Sequence, residues 1–302
     1  MDLIVFGTVF LELVFGQVPA LPGPGEEIYS DEFAMSCGGA VIVASSAQRS
    51  GVQAGLSTLL GEDLGTRVLV DYCRRTGIDL STSHWVTGRT AGITVVVNFA
   101  DERAFISYLP PHPASEPHHV TCWLEALREQ RPAWCYLHAG PAVLDLIQEA
   151  RSLGTRVALD VALNTIDSDP GSVISCARLA DVFLPNTEEL LRLTGTRSLP
   201  SAISDATSWC PQLVVKRGPH GAIVASQAGS AEVTDGMRPV EVRDRTGAGD
   251  AFAGALIGAL IQGGSLTAAA VAGNAAGSET VGKLGGVGEL EVEGLSGEVP
   301  IP

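Results

Sequence analysis

A three-layer α/β/α domain with a mostly parallel central sheet is the fold that three features of this 302-residue chain predict. From residue 121 onward, short apolar runs alternate with helix-compatible segments, the rhythm of strands joined by crossover helices. The chain opens on Leu3-Ile4-Val5-Phe6, an unbroken apolar run of the kind that fills a sheet buried on both faces. Thirty-five glycines and a 45% hydrophobic content suit such a sheet, whereas 5% aromatics argue against a β-sandwich or a base-stacking module.

The first strand ends at the Gly7-Thr8 turn. Residues 10–35 carry Pro19, Pro22, Gly23, Pro24 and Gly25 between short alternating pieces, so they read as a hairpin-like excursion and not as a crossover helix. Gly38-Gly39 leads into an apolar helix at 40–49, then a strand at 52–56 and a helix at 63–76. A second excursion pairs strands at 92–99 and 103–108 across Asn98-Phe99-Ala100-Asp101-Glu102. The two excursions, about 10–36 and 88–110, predict a small β-sheet lid inserted in one domain covering residues 1–302. Helices at 121–130, 143–153, 187–193 and 201–209 then alternate with strands at 134–138, 156–160, 182–184 and 213–215, which places ligands at the C-terminal strand ends. Residues 239–243 alternate like a strand, 251–260 suit a helix, and the Gly-, Glu- and Pro-rich residues after Gly285 end the domain.

Several functions are excluded. The formal charge is −15 and the 19 basic residues are scattered, which rules against nucleic acid and anionic membranes as partners. Cys37, Cys73, Cys122, Cys135, Cys176 and Cys210 form no C-x-x-C pair and read as buried or free thiols. The N-terminus starts directly as a strand, without a basic leader or cleavage site, so a cytoplasmic location is expected. The apolar run at 251–261 is shorter than the roughly 20 residues a bilayer requires. A P-loop needs Gly-Lys-Ser/Thr, but Lys216 and Lys283 are followed by Arg217 and Leu284. The dinucleotide fingerprint fails at Phe252 and at Ile28, and His118-His119 is expected in a proline-flanked loop with no third metal ligand nearby.

The chemistry concentrates in Asp244-Arg245-Thr246-Gly247-Ala248-Gly249-Asp250, between the expected strand and the long apolar helix. The first N–H groups of a helix lack intrahelical partners and carry the positive end of its dipole, and the two glycines let an anion approach the backbone. A carboxylate beside an anion site suits a base acting on the group that attacks phosphorus. The plainer alternative is a turn followed by a helix-start carboxylate.

This stretch resembles the C-terminal signature of the PfkB (ribokinase-like) family of carbohydrate kinases, Asp-Thr-x-Gly-Ala-Gly-Asp, departing from it at Arg245. The resemblance implies a ribokinase-like fold with the β-sheet lid closing over the substrate, and a lid that pairs with its twin in a homodimer. It also implies that Asp250 takes the proton of a sugar hydroxyl and that Gly247, Ala248 and Gly249 form the anion hole. Leu184-Pro185-Asn186-Thr187-Glu188-Glu189 is similar to the family's Asn-x-x-Glu motif, which would put Asn186 and Glu189 near Mg²⁺ and the ATP phosphates, largely through water. The same two residues also suit a capping box. Val214-Val215-Lys216-Arg217-Gly218-Pro219-His220-Gly221 resembles the strand and turn beside the nucleotide, so Gly218 and Gly221 would stay close to ATP and Lys216 or Arg217 would meet a phosphate. Thr246 and Asn274 fall at nucleotide-side positions, and carbonyls near Asp244 and Thr246, with Gly285-Gly286, are where a monovalent cation (K⁺) would bind.

The substrate side departs from the pattern. Glu12 stands where an Asp grips sugar hydroxyls, with Phe10 as an apolar wall. Gly38-Gly39 of the N-terminal signature is present, but the following Asn falls on Ile42 or Val43, and Asp160 is what remains of an Asp-Pro-Asn-x-Arg string. The predicted activity is ATP-dependent phosphorylation of a hydroxyl of a sugar or sugar-like molecule. The rivals are a nucleoside kinase of the same fold, to which Phe10, Ile42 and Phe33 would offer an apolar pocket, and a non-catalytic sensor or scaffold.

Overall fold

The computed structural model describes residues 1–99, 102–110, 116–238 and 241–291. Strand β1 (Leu3–Phe6) sends Leu3 and Val5 into one core and Ile4 and Phe6 into the other, which is why the run is apolar throughout. β2 (Val9–Val18) and β3 (Glu32–Gly39) leave the main sheet as an antiparallel pair. Helix α1 (Ala40–Arg49) starts from Gly39, whose φ of 69° and close approach to the Thr8 carbonyl exclude a side chain. β4 (Ala54–Ser57) returns to pair parallel with β1, and β5 (Leu59–Leu60) follows. In α2 (Leu64–Thr76), the N-cap carboxylate of Asp63 accepts the Thr66 N–H at 2.9 Å, and Gly77, at a φ of 75°, closes the helix. β6 (His84–Trp85) pairs with β5, and β7 (Gly92–Phe99) and β8 (Glu102–Tyr108) form a hairpin. Because β2 also pairs parallel with β7, the two excursions merge into one four-stranded sheet of order β3-β2-β7-β8.

The regular half runs α3 (Glu116–Gln130), β9 (Trp134–His138), α4 (Leu144–Ser152), β10 (Arg156–Asp160), α5 (Leu163–Ser168), α6 (Pro170–Leu179), β11 (Val182–Phe183) and α7 (Thr187–Thr194). It continues with α8 (Leu199–Thr207), β12 (Leu213–Lys216), the hairpin β13 (Ala222–Ser226) and β14 (Gly229–Val233), then α9 (Ala248–Ile261) and α10 (Leu266–Thr280). The main sheet has the order β14-β13-β12-β11-β10-β9-β1-β4, parallel except for β13, which runs antiparallel to both β12 and β14. Helices α1, α2, α9 and α10 supply one core and α3, α4, α6, α7 and α8 the other. Strand order reverses between β1 and β9, so a crevice opens beyond the C-terminal strand ends at that point.

The sequence expectations need three corrections. Glu241, Val242 and Arg243 are not a strand: the N–H groups of Arg243 and Asp244 bond Val281 O at 2.8 and 3.2 Å, beyond the end of α10, so their alternation serves no ladder. Pro239 and Val240, with which that strand was to begin, lie outside the described residues, as do Ala100 and Asp101 of the hairpin turn and the tail from 292. His118 and His119 belong to α3 and not to a loop. Helices α5 and α6 occupy a stretch left unassigned by periodicity; Asp169 caps α6 by accepting the Ser172 N–H at 3.0 Å, with Pro170 in the first turn. The six cysteines are free and buried, as expected.

Helices α1 and α9 press together at Gly254 and Gly258. A methyl group added at Gly254 would overlap Val43 O and lie 2.8 Å from Ser46 Cβ, while Ser46 Oγ donates to Ala251 O at 2.6 Å. Gly254→Ala is therefore expected to lower stability by about 1–3 kcal/mol, the usual cost of overpacking. Urea unfolding checks this, and an unchanged midpoint would mean that the two helices separate freely.

Candidate active site

The signature stretch owes its shape to Asp244 and Gly247. Asp244 is buried; its Oδ1 accepts from Thr246 N at 2.9 Å and Thr246 Oγ1 at 2.7 Å, and its Oδ2 accepts from Gly285 N at 2.9 Å. Gly247 takes the left-handed conformation, with a φ of 73°, as the N-cap of α9, and no side chain caps that helix. A methyl at Gly247 would lie 2.6 Å from Ile42 Cδ1, and one at Gly286 would overlap the same side chain. Ile42, one of the two positions (with Val43) on which the family resemblance would place an Asn, therefore wedges the turn in place. The uncapped first turn of α9 leaves its N–H groups facing the crevice, with half-buried Asp250 among them.

Three strand ends complete the surroundings. Lys216, at the end of β12, ion-pairs with buried Asp160 at the end of β10 through a 2.7 Å contact. A Cβ at Gly249 would sit 3.6 Å from Lys216 Nζ, so the ammonium stands against the anion-receiving turn. Burial pulls Lys216 down, but Asp160, Glu189 and Asp250 more than offset it, so the ammonium is held above its ordinary value. Tyr136 is held well above its ordinary value by burial and by Asp160, so its hydroxyl keeps its proton and donates to Asp160 Oδ2 at 3.2 Å. That leaves His138 Nε2, 3.1 Å away at the end of β9, to donate to the Tyr136 oxygen.

Three carboxylates here are pushed upward. Asp250 is raised to about 6 by burial, with Asp160 adding to the shift and His138 and Lys216 opposing it. Glu189 is raised to about 7 by burial, against Lys216. Glu12, on β2, is raised to about 7 by burial, opposed by the Gly286 N–H that it accepts at 3.3 Å, while Asp244 and Asp250 add to the shift. Shifts of this size in one crevice are a mark of functional sites.

Glu12, Asp244, Thr246, Gly247, Ala248, Gly249, Asp250, Lys216 and Glu189 thus share one crevice. Gly38 makes room for the Glu12 carboxylate, since a Cβ there would overlap Oε1, and the Phe10 ring lies over Gly92 and Gly39. Asn186 and Glu189 form a complete capping box: Asn186 Oδ1 accepts from Glu189 N at 2.9 Å and Glu189 Oε2 from Asn186 N at 2.7 Å. Asn274 spends both amide hydrogens on Val233 O and Asp235 O, each at 2.9 Å, and so pins the end of β14. Gly218 and Gly221 have φ values of 55° and 74°, and a Cβ at Gly221 would overlap Val233 O. Arg217 pairs with Glu232 at 2.9 Å rather than pointing into the crevice as a free cation. Phe33 stacks on Phe15, on the face of the small sheet opposite to Glu12, and does not line the site. Tyr136, His138 and the pairing of Asp160 were missed; their position at consecutive strand ends beside the switch point was the available signal.

A carboxylate and an ammonium at a helix N-terminus that receives anions are the equipment of a phosphotransferase. A family model described as pfkB family carbohydrate kinase matches residues 2–292, and the chain belongs to that family. It is accordingly a kinase that phosphorylates an alcohol group, which sets aside the non-catalytic reading. The chain is 24% identical over 267 residues to a mouse protein named ribokinase, covering 84% of this chain and 80% of that one. It is 26% identical over 227 residues to aminoimidazole riboside kinase of Salmonella typhimurium, covering 69% and 68%. Among solved structures, a candidate ribokinase II of E. coli in complex with ATP and Mg²⁺ superposes with a TM-score of 0.80 at 20% identity, covering 95% of this chain and 94% of that one, which shows a shared fold. Among the described residues, no helix is long and apolar enough to cross a membrane.

The folded-state value of Glu12, about 7 against an ordinary 4.5, means that the folded chain keeps a proton which the unfolded chain has released between those pH values. Its contribution to stability is therefore lost as pH rises through about 7. Glu12→Gln, neutral throughout, should gain on the wild type between pH 5 and pH 8, by on the order of 2 kcal/mol at pH 8. Urea unfolding at both pH values checks it, and a pH-independent difference would show that Glu12 titrates normally.

Proposed function

We propose that this chain transfers the γ-phosphoryl group of ATP to a hydroxyl of a sugar or sugar-like compound. The observation that carries the proposal is Asp250, set in the first turn of α9 between open N–H groups and the buried Glu12. Glu12 would hold acceptor hydroxyls, with Gly38 and Gly39 allowing close approach and Phe10 as an apolar wall. Asp250 would take the hydroxyl proton as the oxygen bonds to phosphorus, its raised value suiting it to receive a proton near neutral pH. The amides of residues 247–250 and Lys216 would receive the charge on the transferring group. Gly218 and Gly221, on the turn after Lys216, would face the nucleotide, with Thr246 and Asn274 shaping its side of the crevice indirectly. Mg²⁺ bound to ATP supplies charge neutralisation, and Asn186 and Glu189 would face it through water. Glu189 retains Oε1 for that role, since the capping box uses Oε2. Carbonyls near Asp244 and Thr246, beside Gly285, would take K⁺.

A nucleoside acceptor is the second reading, and it is favoured by the apolar Phe10 and Ile42 beside Glu12 and by the similarity to a riboside kinase. ADP release from MgATP against sugars, sugar derivatives and nucleosides separates the two. Asp250→Asn is expected to lower acceptor-dependent turnover at least 10²-fold, the usual contribution of a general base, while ATP still binds. The wild-type kcat/KM should rise with pH through about 6 as Asp250 loses its proton. Full turnover in the variant would rule out Asp250 as the base.

The four-stranded sheet would act as the lid, and its outer face supports a homodimer. Phe33, Ile93, Ile106 and Tyr108 lie on that face and are exposed, Ile106 to 72%. Ile106→Glu is expected to turn a dimer into a monomer in light scattering. A wild type already monomeric at working concentration would contradict the dimer.

A further inference from the structure

Behind Lys216 lies a buried polar chain for which the reaction as derived has no use. β11 stops at Phe183, and Lys216, on β12, reaches across its end to Asp160 on β10, two places away in the sheet. Strands two places apart lie roughly 10 Å from each other, so only a long side chain spans the gap. The side chains of the pair are 14% and 3% exposed, and a buried ion pair is often no more stabilising than apolar residues of the same volume. Fold stability alone therefore gives weak grounds for a charge pair at the end of the sheet. Asp160 is moreover held from three sides. Its Oδ1 accepts from Val161 N at 2.9 Å, and its Oδ2 accepts from Lys216 Nζ at 2.7 Å and from the Tyr136 hydroxyl at 3.2 Å. Tyr136 is buried in turn, and His138 Nε2 backs its oxygen at 3.1 Å. On the lysine, by contrast, Asp160 is the one side-chain partner among the described residues, so the other ammonium N–H bonds stay uncommitted beside Gly249.

We infer that Asp160 is a positioning residue: anchored by Val161 and Tyr136, it fixes the Lys216 ammonium against the Gly249 turn, where the uncommitted N–H bonds meet the transferring phosphoryl group. This rests on the kinase reading above, and it deepens it. A lysine carries its charge on a flexible four-carbon stem, and donors stabilise developing charge best when they need no reordering at the moment of reaction. The negative charge of Asp160 also repels the phosphates of a bound nucleotide. Its removal therefore acts in opposite directions on two states: the nucleotide binds no worse, while the transferring group is stabilised less. A carboxylate that only held the strands together would weaken both alike.

Calorimetric titration with MgADP, with and without aluminium fluoride as a mimic of the transferring group, tests this. In the wild type, fluoride should tighten MgADP by about 100-fold or more, as befits a transition-state mimic. Asp160→Asn keeps the size of the side chain and an acceptor for Val161; it should bind MgADP at least as well as the wild type, yet lose about ten-fold or more of the tightening. Lys216→Met should lose as much, and adding Asp160→Asn to it should change the tightening by less than about two-fold, because the two residues act as a unit. Tyr136→Phe leaves the ion pair but withdraws one donor from Asp160, and its tightening should fall between the wild type and Asp160→Asn. The inference is overturned if the wild type shows no tightening, if Asp160→Asn keeps it, or if that variant weakens MgADP as much as the fluoride complex. It is also overturned if Asp160→Asn costs as much beside Lys216→Met as alone; and should Asp160→Asn fail to fold, full tightening in Tyr136→Phe overturns it. No acceptor is present and Asp250 is intact, so the outcome is separate from that of the base. Tightening that depends on Asp160, with undiminished turnover in Asp250→Asn, would remove the base and leave the positioning role. Turnover lost in Asp250→Asn, with tightening indifferent to Asp160, would do the reverse.

Discussion

Two consecutive backbone N–H groups hold this site together. Gly285 donates to Asp244 and Gly286 to Glu12, so one short loop fastens the signature turn to the small sheet. Asp244 is buried and would be costly without its three donors, and among the described residues Glu12 has only the Gly286 N–H against a large burial cost. Ile42 fills the space behind, touching both the Gly247 turn and Gly286. The helix end that receives anions is therefore positioned by packing and by a carboxylate staple, rather than by a cap of its own.

Electrostatics then sets the terms on which the crevice accepts a ligand. At the strand ends, Lys216 is enclosed by Asp160, Glu189 and Asp250, an arrangement with more negative than positive charge. Such a zone tolerates the phosphates of a nucleotide only when a cation accompanies them, in keeping with the partial capping role of Glu189 and its raised value.

Much of the fold was legible because it is written in local pattern. The Leu3–Phe6 run, the helix at 40–49 and the strands at 134–138 and 156–160 came out at the bounds observed, since both the 3.6-residue and the continuous apolar signals were strong there. The segment at 241–243 misled because alternation is a strand signal only where a ladder partner exists, and its N–H groups bond Val281 instead. In the site, the Gly-Ala-Gly-Asp turn was readable, as its spacing dictates its conformation. The Lys216–Asp160 pair was not, since it joins residues 56 apart that meet only through the sheet order. Asn186 and Glu189 show the opposite limit: the motif was found, but the capping box and the metal reading use the same spacing, and the observed box leaves one oxygen of Glu189 uncommitted.

The Gly286–Glu12 contact joins residues 274 positions apart, and Ser46–Ala251 joins residues 205 apart. Contacts of such separation cannot form until the later partner has been made and has left the ribosome. The β1–β9 pairing that opens the crevice also spans more than a hundred residues. A ribosome-bound chain would thus carry Glu12 and the small sheet long before any phosphate-accepting turn exists, with the α1 groove for α9 exposed and unfilled. Catalytic competence would arrive in a single late event, and that groove would be the surface a chaperone must shield until then.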